Sequence, residues 1–187
     1  MREGITRQRL RNFQVSRFSG ILQAARVGEI AGLQKKNVDF SNNKVTIKEV
    51  LIWIGSRPKV KSLPKNGQSR TVVMNNCLKK ILEEQIKISP SSSPFVFANR
   101  NPNGLRYNSI NKAYNKAWKK AGLPYRGTHT IRYAGARLAR EMFGTLDHVR
   151  AITGHRSTAL AAHYSAGDLD KLQRQVSQGF DELDLTA

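Results

Sequence analysis

Between Lys44 and Met74 the chain changes period, and that change limits the folds open to it. Val45-Thr46-Ile47, Val50-Leu51-Ile52-Trp53-Ile54 and Thr71-Val72-Val73 are short runs of β-branched and aromatic residues, which suit half-buried, pleated strands. On both sides apolar residues recur every three or four positions, the spacing of helices. The expected architecture is therefore a mostly α domain with a small antiparallel β-sheet, an α+β fold. Between the second and third runs, residues 55–69 contain Pro58, Pro64 and Asn66-Gly67 together with Arg57, Lys59, Lys61 and Lys65. That stretch reads as a mobile basic hairpin.

Upstream, Ile21, Leu22, Ala25, Val27, Ile30 and Leu33 predict one helix, ended by the turn residues of 37–43. Downstream, Leu78, Ile81, Leu82 and Ile86 share a face of a helix over 77–88 that stops near Ser89-Pro90. A third helix over 110–121 turns Ala113, Tyr114, Ala117 and Trp118 inward and closes on Gly122, where a left-handed backbone is favoured. Residues 130–142 and 146–152 read as two more. Cys77, beside Leu78, reads as a small core residue. With 187 residues and no internal repeat, the chain fits one domain with a short appendage. Its expected divisions are a lead-in over 1–12, a main domain over 13–165 and a tail over 166–187. In the tail, Leu169, Leu172, Val176, Phe180 and Leu183 form one apolar stripe of a helix, open to docking in cis or in trans.

The charge says what such a domain would meet. Lys and Arg number 32 against 13 Asp and Glu, a formal charge of +19. Solubility alone calls for a magnitude of roughly 2 to 8 in a small domain. The tail holds five acids and two bases, so residues 1–165 carry +22. A polyanion is the expected partner, and nucleic acid is the best candidate because Lys and Arg release the counterions condensed on its phosphates. No apolar run nears the ~20 residues of a membrane span, and Met1-Arg2-Glu3-Gly4 lacks the apolar core of a signal peptide, so an intracellular, cytoplasmic protein without membrane contact is expected.

Four fragments carry chemistry: Ala25-Arg26-Val27-Gly28-Glu29-Ile30, Lys65-Asn66-Gly67-Gln68-Ser69-Arg70-Thr71-Val72, His129-Thr130-Ile131-Arg132, and Gly154-His155 followed nine residues later by Tyr164. Each is weak alone. In this order and spacing they resemble the catalytic domain of the tyrosine recombinase, or phage integrase, family. Residues 33–40, 94–105 and Ala121-Gly122-Leu123-Pro124 add to the resemblance, which covers about 22–165. Three departures are Ala24-Ala25 for a usual Gly-Leu, Tyr133 for a frequent histidine and Thr153 for a usual leucine.

The resemblance implies a site-specific recombinase that cleaves and rejoins DNA through a 3′-phosphotyrosine link, without metal or other cofactor. Tyr164 would be the nucleophile and His129 the acid/base. Arg26 and Arg132 would hold the non-bridging phosphate oxygens, a task that suits a permanently charged planar fork. Lys65 would protonate the departing 5′-oxygen, with Lys59 and Lys61 as competitors because the register of the hairpin is open. His155 would bond the phosphate or the leaving side, and Glu29 would support the first arginine. Arg57, Lys59 and Lys61 are expected to touch DNA, and His148 and His163 to be structural or DNA-contacting. The family also implies a prokaryotic or phage-borne element, assembly as a homo-oligomer, a tetramer on DNA, and a helical core-binding domain before the catalytic one. With only 25 residues ahead of Arg26, that domain is expected to be absent from this chain. Competing readings are a type IB topoisomerase, a non-catalytic DNA-binding module and, more remotely, a two-metal nuclease, which the shortage of acids disfavours.

Overall fold

The computed structural model describes residues 24–62, 69–99, 104–155 and 157–165, the side chains of Tyr164 and Ser165 excepted. Lys65 and the tail stripe lie outside the described residues, as does the lead-in. The described chain runs α1 (Val27–Ala31), a 3-10 turn (Lys35–Asn37), β1 (Val38–Asp39), β2 (Lys44–Ile47), β3 (Glu49–Ile54), β4 (Arg57–Ser62), β5 (Arg70–Val73), α2 (Asn76–Ile88), α3 (Tyr107–Lys120), α4 (His129–Phe143), α5 (Leu146–Thr153) and α6 (Thr158–Ser165). No helix among the described residues is long and apolar enough to cross a membrane.

The β-rich stretch forms two antiparallel sheets rather than the single one expected. One has the order β1-β2-β5, with Val45 opposite Val38 and Val72. The other is a ribbon of β3 and β4 in which Ile54 pairs with Arg57 and Glu49 with Ser62. The basic hairpin is thus partly a strand, because a tight turn at Gly55-Ser56 folds β4 back onto β3. Pro58 is tolerated there because the ribbon has two free edges. The helices 77–88, 110–121, 130–142 and 146–152 are present with ends shifted by a few residues, and Gly122 has φ +70°.

The upstream helix is shorter than its periodicity suggests. Ala24 has φ +63° and Arg26 is extended, so among the described residues the helix begins only at Val27. Leu33 lies beyond its end, buried, where its carbonyl accepts from the Val96 N–H at 2.9 Å. Apolar spacing alone could not see the left-handed residue that breaks the pattern. Cys77 is exposed, against expectation: Asn75 caps α2, and one residue into that helix Cys77 points away from the face of Leu78 and Leu82.

Two apolar cores result. The larger joins α1, β2, β3, β5, α2, α3 and the buried segment 95–98. The smaller consists of Ala136, Ala139, Val149 and Ala161, where α4, α5 and α6 pack on one another. Ile131, near the head of α4, packs on the larger core and brings the following residue, Arg132, to the seam between the two.

Candidate active site

A buried polar cluster fills that seam. Glu29, 1% exposed, is one turn into α1; its carboxylate accepts from the Arg26 backbone N–H at 2.8 Å and from Arg26 Nη1 at 3.0 Å. Arg70, the first residue of β5, reaches the same carboxylate with two nitrogens, Nη2 to Oε2 at 2.9 Å and Nη1 to Oε1 at 3.3 Å. Its Nη1 also donates to the Thr153 carbonyl at 3.1 Å. Arg132 Nη2 donates to the same carbonyl at 2.7 Å and to His155 Nε2 at 2.9 Å, while its Nη1 donates to the Ala24 carbonyl. Residues as far apart as Ala24 and His155 thus meet through guanidinium groups.

Local structure explains how they arrive. Arg26 heads α1 because Glu29 folds back on its N–H. Ala24 holds a left-handed conformation at a position where the resemblance expects glycine, and this turns its carbonyl toward Arg132. Gly154 ends α5 at φ +69°, and a Cβ there would lie 2.8 Å from Arg70 Nη1. Glycine takes that turn without strain and leaves room for the arginine, which a side chain there would crowd. Thr153, the other departure, bonds its hydroxyl to the Val149 carbonyl at 2.7 Å and leaves its own carbonyl to the arginines.

Counted over these four side chains, three cations face one carboxylate, leaving two positive charges in excess. Burial alone would raise the Glu29 carboxyl, but Arg70, then the Arg26 N–H and guanidinium, and Arg132 outweigh it and hold the group below the usual carboxylate range. The histidines respond in kind. Burial, then Arg132, Arg26 and Arg70, press His155 down to about 4, opposed only by Glu29. Partial burial of its ring, then Arg132 and Arg26, lower His129, which stands exposed at the head of α4. At neutral pH both rings are therefore uncharged, and His129 can accept a proton.

The cluster brings together Arg26, Glu29, Arg132 and His155, with His129 in the same positive field. Arg132 and His155 are 1% and 3% exposed; in this arrangement Arg132 donates to the Ala24 and Thr153 carbonyls and to His155 Nε2. Tyr164 lies on α6, which packs against α4 and α5; the preceding His163 has its Nε2 3.4 Å from the Tyr133 hydroxyl. His148 caps α5 with Thr145 and stacks on Phe143, a structural use. Arg57, Lys59 and Lys61 are exposed on β4 at alternate positions, hence on one face of the ribbon. Among the described residues no group of three His, Cys, Asp or Glu gathers as a metal would need.

Sequence reasoning passed over Arg70. The signal was an arginine at the first position of a β-run, directly after a basic loop, where the strand's next inward residue is the buried Val72. The carbonyls of Ala24 and Thr153 left no trace in side-chain identity.

Known proteins share this architecture. The Tn1549 transposon integrase, solved with a circular intermediate DNA, superposes with a TM-score of 0.71 at 18% identity over 89% of this chain and 57% of that one. XerA recombinase gives 0.65 at 18% identity over 91% and 62%. In sequence, the integrase of Staphylococcus phage L54a is 27% identical over 178 residues, 87% of this chain and 49% of that protein. A XerC-like tyrosine recombinase of Caldanaerobacter subterraneus is 24% identical over 180 residues, 84% and 46%. The chain therefore spans about half the length of the curated relatives it matches. The sequence model of the phage integrase family matches residues 21–169, a span that takes in every element from α1 to α6, and the chain belongs to that family.

Proposed function

We propose that the chain is the catalytic domain of a site-specific DNA recombinase that cleaves and rejoins double-stranded DNA through a 3′-phosphotyrosine intermediate. The observation that carries this reading is the excess of positive charge at the seam. Two arginines of the expected clamp and both expected histidines lie in one field that a phosphodiester would neutralise. In the reaction the Tyr164 phenol oxygen attacks the scissile phosphorus, forming the Tyr–O–P bond and breaking the bond to the 5′-oxygen. Neutral His129 takes the phenolic proton, and Lys65 gives one to the departing 5′-oxygen. Arg26 and Arg132 stabilise charge on the non-bridging oxygens, a contribution of about 3 kcal/mol per donor in comparable sites. His155 orients Arg132, and Glu29 orients Arg26. The phosphotyrosine retains the energy of the broken bond, so religation by a 5′-hydroxyl needs no external energy source.

Arg57, Lys59 and Lys61 contact the DNA backbone along the exposed ribbon, and protomers assemble on DNA as a tetramer. Residues 13–165 form the catalytic unit, preceded by a lead-in and followed by a tail that docks in cis or in trans. The protein acts in the cytoplasm of a prokaryotic host, at the nucleoid.

A nicked-duplex library of randomised sequence tests this proposal, since a nick beside the cleavage site lets the leaving strand diffuse away and traps the adduct. Wild-type chain should accumulate a covalent DNA adduct on a denaturing gel, with or without EDTA. Tyr164→Phe should bind DNA and give none. An adduct persisting in that variant overturns the assignment, and cleavage that EDTA abolishes supports the nuclease instead.

A further inference from the structure

We propose that Arg70 is a positioning residue of the catalytic cluster, holding Arg26 through Glu29 and Arg132 through the Thr153 carbonyl. This rests on the recombinase reading above. Arg70 bonds both Glu29 and the Thr153 carbonyl, which directly precedes the Gly154-His155 turn. Its fork grips both carboxylate oxygens, so Glu29 is fixed in the orientation that also receives Arg26 Nη1 and the Arg26 N–H. With its third contact it shares the Thr153 carbonyl with Arg132, whose other bond from the same nitrogen holds His155 Nε2. Both expected clamp arginines therefore share their acceptors with one guanidinium, that of Arg70. Gly154 is the counterpart of this arrangement, since a side chain there would displace Arg70.

Arg70 also begins β5, a few residues after Lys65. Its loss could act through the clamp or through that segment, and substrate chemistry separates the two. A methylphosphonate at the scissile position lacks one non-bridging oxygen and its charge, so it needs the clamp less. A 5′-bridging phosphorothiolate expels a thiolate that needs no proton, so it bypasses the general acid.

The test measures adduct formation by the wild type, Arg70→Ala, Arg70→Lys and Arg26→Ala on a duplex selected from the nicked library, with melting temperature in parallel. Arg70→Lys keeps a cation beside buried Glu29 and so keeps the fold, yet cannot make the three-point grip. On ordinary phosphate both Arg70 variants should be slower by about 100-fold, the scale of an ångström-sized misplacement of catalytic groups. On the methylphosphonate their rates should converge on the wild type in parallel with Arg26→Ala, and on the phosphorothiolate the deficit should persist. Wild-type rates in a folded Arg70→Lys overturn the proposal. So does an equal deficit on all three substrates with a lowered melting temperature, which is a purely structural role. Rescue by the phosphorothiolate overturns it in favour of the Lys65 segment. If the wild type itself forms no adduct, it is the recombinase reading that fails.

Discussion

At His155 burial and the surrounding arginines keep the ring neutral, and one bond fixes its tautomer. Arginine has no acceptor, so the 2.9 Å contact with Arg132 Nη2 requires a lone pair on His155 Nε2 and places the ring proton on Nδ1. The same contact opposes a second proton, in agreement with a value held near 4. In the unfolded chain the ring titrates near 6.5, so between those values the unfolded state binds more protons and stability must rise with pH. His155 stabilises the fold fully above about pH 6.5 and loses that contribution as pH falls toward 4. Glu29, also depressed, acts in the same direction at lower pH: its contribution is complete above its unfolded value of 4.5 and is lost as pH falls through the folded one. Denaturant unfolding across pH 4 to 7 should show this slope in the wild type and a much flatter one in His155→Gln. Equal slopes would mean that another group titrates.

At the scale of elements, the placement of Arg26 depends on how closely α1 lies on β3. Gly28 and Gly32, four apart, face the strand backbone: a Cβ at Gly28 would come within 2.6 Å of the Leu51 carbonyl oxygen, and one at Gly32 within 2.6 Å of the Leu51 nitrogen. Neither neighbour is a side-chain end that can swing aside. Gly32→Ala should therefore push the helix outward, costing roughly 1–3 kcal/mol. Because Arg26 heads that helix, adduct formation should fall further than melting temperature alone accounts for in a surface variant matched for stability. Matching losses would show that α1 has slack. The glycines were visible in the text Val27-Gly28-Glu29-Ile30-Ala31-Gly32, but their reason was not, since backbone contact between distant segments has no composition. Strand β1 fell among the turn residues of 37–43, but β2, β3, β5 and four of the helices were legible because β-branched runs and three-to-four spacing report burial directly. Strand β4 was not, because Arg57-Pro58-Lys59-Val60-Lys61-Ser62 buries almost nothing and is held as a strand by its pairing with β3. Arg26, Glu29, Arg132 and His155, which the structure brings together, were legible as a set because their order and spacing match the family's motifs. Arg70 was not, since what it grips is one carboxylate and one carbonyl.

Across the whole molecule the two cores are unequal, and the polar cluster at their seam joins them. The sheet-bearing core buries Leu51, Leu78, Leu82, Phe97 and Tyr114, whereas the α4–α6 core rests on three alanines and a valine. Apolar area removed from water scales with side-chain size, so the helical unit has far less holding it closed. Its own opening should then be a separate event, well below the free energy of global unfolding. Native-state hydrogen exchange should find the slowest amides in β2, β5 and α2, with those of α5 and α6 exchanging earlier as one cooperative group. Uniform protection would show a single cooperative unit. On that expectation the helix that carries Tyr164 belongs to the unit that opens first. A polyanion bound at the seam should then raise protection in α6.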